Sequence, residues 1–574
     1  MAESLERDGA AVTHSRGKAA EALLFLLLWL LPAAFLSVFF VLPLGRIFAL
    51  TFGAFIDQAS SLQELWQAVR RPLGFTFYQA ILSTLLTLLM GLPMAFVFGR
   101  YHFRGRRLLR VLSTLPFILP TVVVAAGFNA LLGPRGWLNL LFMDWFNLSQ
   151  PPILFLNTLS AILTAHVFYN LTIVLRVVGG AWENLDPRLE QAARTLGASE
   201  WRAFWEVTFP ILRPSILAAT LLVFLFDFSS FGVILLMGGP RFATLEVEIY
   251  IQALQLLNLP LAGVLSAIQL LCTLLITLAH HRLTGGQQVQ LTPRLKGEGL
   301  RPARKWAEKL AVTALLITLT AFILSPLTAL SVRSVTRLEA NRGERGAVQT
   351  GLTLDYYREL FINRRQSLFY VPPVAAARNS LVYALETIAL SLGLGLPAAY
   401  ALNRGGSARR WLDALLMLPL GASAVTLGLG YVLTFNRPPL EVRSFPLLIP
   451  MAHSLVALPF VVRTLRPAIS AIPPSLSQAA RTLGAPPARA WLEVDLPILS
   501  RPLLAATVFS FTVSLGEFGA TSLLARPEFP TLPIAIYRFL SQPGALNYGQ
   551  AMAMATLLML LCGICVFLIE KITV

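Results

Sequence analysis

Asp227 and Glu517 stand inside long apolar runs, where an ionisable side chain costs about 3 kcal/mol to insert and usually faces a cavity or a partner. Each lies shortly before a Phe-Gly pair, Phe231-Gly232 and Phe518-Gly519. Two carboxylates beside two aromatic rings could line a pathway that attracts a cation; a buried structural hydrogen bond explains the same residues equally well. His166, Arg176, His453 and Arg463 also fall within apolar runs. Isolated histidines at such positions make no metal site, and these four residues read as packing or anchoring groups, with a place on a pathway as the lesser alternative. Cys562 and Cys565 have redox spacing, yet they and Cys272 lie in apolar spans and read as small packing residues. "GLGLPA" (Gly393, Gly395, Ala398) matches a dinucleotide fingerprint in letters only, because it sits within an apolar run and not at a strand-turn-helix junction. The phosphate-binding pattern G-x-x-x-x-G-K-[ST], the zinc pattern H-E-x-x-H and a nucleophile elbow are all missing from the sequence. The chain is expected to be no enzyme and to hold no cofactor of its own.

The elements that must position these residues are membrane spans. The 574 residues are 56% hydrophobic and only 13% charged, about half the charged share of an ordinary soluble protein. Runs such as 23–50, 73–99, 153–178, 215–237, 310–332 and 548–569 each reach the roughly 20 residues that cross a bilayer as a helix. A strand barrel would alternate apolar and polar residues, and these runs do not. The net charge of +17 would suggest nucleic acid in a soluble chain, but the basic residues cluster in short connections between spans, as the positive-inside rule requires. No nucleic-acid partner is expected. The first run is too long for a signal peptide and lacks a small-residue cleavage site, so it reads as a first span.

The chain repeats itself. "QAARTLGA" stands at 191–198 and again at 478–485, an offset of 287 (478 less 191). The same offset relates Ala165-His166 to Ala452-His453, Arg176 to Arg463, Pro210-Ile211-Leu212 to Pro497-Ile498-Leu499, Phe231-Gly232 to Phe518-Gly519, and Tyr250 to Tyr537. Upstream, Gly91-Leu92-Pro93 matches Gly395-Leu396-Pro397. Two tandem homologous halves follow.

About six spans fall in each half: near 23–50, 73–99, 109–132, 153–179, 214–237 and 261–282, then 310–332, 376–402, 411–435, 446–466, 503–525 and 548–570. The basic segments 100–110, around Arg404, Arg409 and Arg410, and 292–309 all fall on one side, which places them and both termini in the cytoplasm. An even span count per half orients both halves alike, with a pseudo-twofold along the membrane normal. The expected organisation is a cytoplasmic tail (1–22), a first half (23–283), a basic linker (284–309) and a second half (310–574). The fold class is an all-α polytopic membrane protein of about twelve transmembrane helices in two six-helix halves. Segments 238–260 and 526–546, with Arg241, Glu246, Glu248 and Glu528, are expected as outer loops or short helices facing a partner, and 334–373 as an addition to that surface.

Both copies of the repeat fall in cytoplasmic loops, 183–213 and 470–501. Each reads as a short helix, a sharp turn and a second helix. Asp186 and Pro187 suit the start of the first copy and Pro473-Pro474 that of the second. Leu189, Ala192, Ala193 and Leu196 make one apolar stripe, and so do Leu476, Ala479, Ala480 and Leu483. Gly197 and Gly484 stand where a helix takes a left-handed C-cap. A helix lying on lipid headgroups would carry a broader, bulkier face. Identity here, where the spans have diverged, fits a loop that must match a protein partner twice.

At this point the residues resemble a known family. "QAARTLGA", followed by Pro-Ile-Leu after eleven residues, is similar to the EAA loop of the permease subunits of binding-protein-dependent ABC importers, and the two tandem copies resemble the fused permeases of the iron(III) and thiamine importers. The resemblance implies a type I importer permease fold. It implies that Gln191, Ala192, Ala193 and Gly197, with Gln478, Ala479, Ala480 and Gly484, couple the chain to two copies of an ABC ATPase, which bind the ATP and magnesium. It also implies an extracytoplasmic binding protein that delivers a small solute, and a pathway in which Asp227, Glu517, Phe231 and Phe518 are candidates. Gln191 and Gln478 depart from the Glu usual at that place, so a charged contact there is not implied. The rival is a twelve-span carrier driven by an ion gradient, which has no use for paired docking helices.

Overall fold

The computed structural model describes residues 28–57, 62–239, 241–284, 300–337, 351–362, 371–403, 408–437, 440–441 and 445–573. The expected tail 1–22, residues 285–299 of the linker, Arg404, and residues 338–350 and 363–370 of the outer segment lie outside the described residues.

The duplication is visible in most elements, although the first-half helix Trp137–Trp145 has no helical counterpart among the described residues of the second half. The first half runs α1 (Leu28–Gly53), α2 (Leu62–Arg100), α3 (Arg106–Ile118), α4 (Thr121–Leu132), α5 (Leu159–Glu183), α6 (Pro187–Thr195), α7 (Glu200–Phe228), α8 (Gly232–Met237), α9 (Leu245–Tyr250) and α10 (Leu259–Thr284). The second repeats the order: α11 (Trp306–Ser334), α12 (Pro373–Asn403), α13 (Ala408–Met417), α14 (Ala424–Thr434), α15 (Leu448–Ser470), α16 (Pro474–Thr482), α17 (Pro487–Gly516), α18 (Gly519–Leu524), α19 (Leu532–Leu540) and α20 (Ala545–Thr573).

Ten of the described helices are long and apolar enough to cross a bilayer, or eleven if a bent pair is counted as one. The expected count was about twelve, and the difference lies in the third span of each half. Leu119 precedes Pro120, takes an extended backbone (ψ 137°) and ends α3, after which the helical stretch Thr121–Trp145 leaves at 107°. In the second half a short 3-10 turn, Leu418–Gly421, divides α13 from α14. The fifth spans break as well, after Phe228 and after Gly516. Exposed side chains such as Leu85, Leu89, Leu271 and Leu275 suit a lipid surround.

Contacts among spans rest on close approach, since lipid leaves little hydrophobic drive between helices. A Cβ on Gly91 of α2 would sit 2.8 Å from Val174 of α5, and one on Gly395 of α12 would sit 2.6 Å from Val461 of α15. The repeated Gly-Leu-Pro is therefore a packing motif, and "GLGLPA" is its second copy.

Two compact units emerge, and neither follows the linear halves. One holds Met1–Arg46, Leu381–Leu515 and Leu568–Val574; the other holds Ile47–Ser380 and Gly516–Phe567. Within the first unit, α1 packs on second-half elements: Ser37–Val41 lies on α15, Phe39 meets Tyr431 and Phe435, and Pro43 backs onto Gly430 of α14. Within the second unit, α11 lies on first-half α4, with the Pro326 carbonyl 2.9 Å from where a Gly127 Cβ would stand, and Phe322 meets Phe168. The leading helix of each half thus packs on elements of the other half.

Candidate functional site

The repeated octapeptides form two matching helices. In α6 the Asp186 carboxylate accepts from the Arg188 amide at 2.8 Å, and Pro187 opens the helix. At the other end Gly197 has φ +92°, with Gly197 N–H donating to the Arg194 carbonyl and Ala198 N–H to the Ala193 carbonyl. Gly484 repeats this at φ +85°, with Gly484 on Arg481 and Ala485 on Ala480. That is the Schellman closure, which needs a residue without a Cβ penalty at the left-handed position. Gln191, Ala192 and Gly197 are exposed and Ala193 half-buried, and Gln478, Ala479, Gly484 and Ala480 repeat the pattern in order. Leu196 is 89% exposed and Leu483 88%, so each stripe ends on a leucine that the chain itself leaves uncovered.

The anchors beneath the two helices differ. In the first half, Arg100 at the end of α2 grips the buried Glu190 through both guanidinium nitrogens, one at 2.9 Å, and Glu183 takes Arg110 at 2.8 Å and Arg106 at 3.2 Å. In the second, Ser477 stands in place of Glu190 and donates to Asp495 at 2.9 Å. After each turn the chain passes through a π-helical turn, Phe204–Thr208 in α7 and Trp491–Asp495 in α17, at equivalent positions. The ion pairs Arg202–Glu206 (2.9 Å) and Arg489–Glu493 (2.8 Å) repeat alongside. Sequence reading missed the π turns, and no local residue preference marks them.

The candidate pathway residues divide into two kinds. Asp227 is fully buried near the C-terminal end of α7; its carboxylate accepts from Asn170 at 2.7 Å, its carbonyl from Gln79 at 2.8 Å, and His166 Nδ1 stands 3.4 Å away. His166 is itself held by Ser83 (2.9 Å) and Ser230 (2.8 Å). The second half has Ser514 where the first has Asp227, and it bonds His453 at 2.8 Å and Thr387 at 3.2 Å. The Glu517 carboxylate accepts from the amides of Ala520 (2.7 Å) and Thr521 (2.9 Å) and from the Thr521 hydroxyl, across the start of α18. Phe231 and Phe518 come together: their rings stack with centroids 5.7 Å apart at 24°.

The outer segments fold inward more than expected. Glu246 on α9 is buried and accepts from Gln269 of α10 at 3.1 Å, the Leu245 amide donates to Thr76, and Leu532 of α19 donates to Ser380 at 2.7 Å. Of the four charged residues expected on that surface, Arg241 is exposed while Glu246 is spent inside. Burial and the neighbouring Tyr537 push the Tyr250 hydroxyl on α9 up to about 12. No group of three or more metal-ligating side chains occurs among the described residues, and the three cysteines are free thiols.

Comparison with known proteins decides the family. The binding-protein-dependent transport system inner membrane component family matches residues 87–284 and again 391–573. The chain belongs to that family. The permease is also 29% identical over 554 residues to the thiamine transport system permease protein ThiP of Escherichia coli (strain K12), covering 95% of this chain and 96% of that one. It is 29% identical to ThiP of Brucella abortus (strain 2308), covering 89% and 88%, and 27% identical to the probable ABC transporter permease protein y4fN of Sinorhizobium fredii (strain NBRC 101917 / NGR234), covering 84% of each. Among solved structures, a bacterial ABC transporter involved in the import of the acidic polysaccharide alginate aligns at 18% identity and a TM-score of 0.37, over 50% of the permease and 99% of that chain. Two copies of the family in one chain make the permease a fused, multi-pass, all-α inner-membrane transport subunit, and the duplicated match coincides with the duplicated elements.

Proposed function

We propose that the permease carries thiamine, or a small organic cation like it, from an extracytoplasmic binding protein into the cytoplasm, powered by two copies of a separate ABC ATPase that holds the ATP and magnesium. Thiamine is what its full-length relatives are named for. One observation supports the coupling above all: α6 and α16 share one octapeptide, one C-cap geometry and one order of exposure, and both end on an uncovered leucine. Paired docking surfaces suit a partner that presents the same cleft twice. Gln191 and Gln478, exposed amides, would meet such a cleft by hydrogen bonding where the usual Glu would bring charge. Both termini and the coupling helices lie in the cytoplasm in this reading, and the domains run 1–22, 23–283, 284–309 and 310–574.

Phe231 and Phe518 belong to the pathway, while Asp227 and Glu517 serve it at one remove, one tying α7 to α2 and α5, the other capping α18. The test is reconstitution with the ATPase and the loaded binding protein in liposomes. ATP-dependent thiamine uptake is expected, and Gly197→Asp with Gly484→Asp should abolish ATPase association and uptake while the permease still inserts. Uptake driven by an ion gradient with no ATPase present would overturn the proposal.

A further inference from the structure

Phe231 and Phe518 do not stack alone. Phe231 meets Tyr250 with centroids 5.4 Å apart, and Phe518 meets Tyr537 at 5.6 Å. The Tyr250 and Tyr537 hydroxyls are neighbours. The same offset of 287 that relates the octapeptides relates Phe231 to Phe518 and Tyr250 to Tyr537. Four aromatic side chains, one Phe and one Tyr from each half, therefore close on one another across the duplication. Both phenylalanines are buried.

Their place in the chain is as telling as their contacts. Phe231 and Phe518 occupy the breaks between α7 and α8 and between α17 and α18. The α3–α4 break lies near, because α8 and α19 both pack on α4 and Pro120 lies 3.5 Å from where a Gly516 Cβ would stand. Broken helices that meet within the membrane are where transporters place their sites, since free backbone ends are tolerated only beside a cavity. From Phe209 to Phe228, α7 rises roughly 30 Å at 1.5 Å per residue, which sets the four rings on the side of the membrane away from α6.

We infer that Phe231, Tyr250, Phe518 and Tyr537 are the outer gate of the pathway, shut in this structure, and that when parted they offer ring faces to a planar cationic solute. Parting the stack frees one Phe-Tyr pair per half. An aromatic face attracts a cation within about 6 Å of its centroid and stacks on a flat ring. The gate stands on the geometry alone; the solute class rests on the thiamine reading above.

Two variant pairs separate the roles. The reconstituted permease–ATPase complex is placed in liposomes loaded with thiamine and glucose, and efflux is followed without ATP. Phe231→Ala with Phe518→Ala removes bulk and ring together, and glucose efflux is expected to rise at least tenfold over the unaltered complex. Phe231→Leu with Phe518→Leu keeps bulk and loses the ring faces: glucose efflux should stay low, while ATP-driven thiamine uptake at saturating loaded binding protein falls roughly tenfold, the scale of one lost cation–π contact. ATPase association measured in parallel confirms that each variant is folded. A tight Ala pair overturns the gate, and an undiminished Leu pair overturns the stacking role. If the unaltered complex moves no thiamine, the solute reading fails and glucose efflux still judges the gate.

Discussion

At the scale of single residues, the left-handed glycines and the buried carboxylate carry the sharpest expectations. Any side chain at the positive φ of Gly197 or Gly484 costs about 1–2 kcal/mol and frays the end of the docking helix. Gly197→Ala with Gly484→Ala should therefore weaken ATPase binding in a pull-down without lowering membrane yield. The exposed ends of the stripes should be more sensitive still: Leu196→Asp with Leu483→Asp is expected to release the ATPase while the melting temperature in detergent stays within a degree or two of the parent. Asp227 tests the opposite kind of role. Asp227→Ala leaves the buried Asn170 amide without its acceptor, at a cost of about 1–3 kcal/mol, so the melting temperature should fall. Ser514→Ala, its second-half equivalent, removes only neutral hydroxyl bonds and should lower it less. The capping role of the glycines was legible in the sequence, but the roles of the buried acidic residues were not. An acidic residue in a span reads alike whether it lines a path or, as with Glu517, bonds the amides at the start of the next helix, because the difference lies in where the neighbouring helix ends.

At the scale of elements, the π turns in α7 and α17 stand out as the feature that recurs without a sequence signal. Each carries one residue more than an α-helical turn needs, between the repeated short helix (α6 or α16) and the long helix that follows it. Deleting Val207 together with Val494 should restore plain α-helix and rotate each docking helix by roughly 100° against its span. The expected result is a permease that still binds the ATPase but couples hydrolysis to uptake poorly, measured as ATP consumed per thiamine delivered; alanine at the same two positions should be nearly silent. Most spans were legible from hydropathy to within about six residues, while the second span of the first half and the fifth span of each half begin ten or more residues before the expected start. The misread elements were the third and fifth spans: in the third, apolar composition runs on through Pro120 while the backbone turns, and in the fifth it runs on past the breaks after Phe228 and Gly516. Hydropathy sees solvent preference and is blind to a bend.

At the scale of the whole molecule, the exchange of leading helices governs how the chain can be divided. A fragment of the first half alone would lack α11 over α4, and a fragment of the second half alone would lack α1 over α14. Co-expressed fragments 1–290 and 291–574 should co-purify and reconstitute ATP-driven uptake, whereas either alone should be recovered at low yield. Gly127→Leu, which drives a side chain into the Pro326 carbonyl, should weaken that co-purification.

The sequence by itself determined that the chain is a duplicated, all-helical membrane protein, because bilayer solvation acts on each span separately and a repeated octapeptide is a local fact. It also determined where the repeated short helices α6 and α16 begin and end, since caps and left-handed glycines are decided by residues a few positions apart. Only the tertiary structure decided that Phe231 meets Phe518, that Glu517 caps α18, and that α1 and α11 change places. Those contacts join residues hundreds of positions apart, and their partners are chosen by packing, to which no stretch of sequence alone has access.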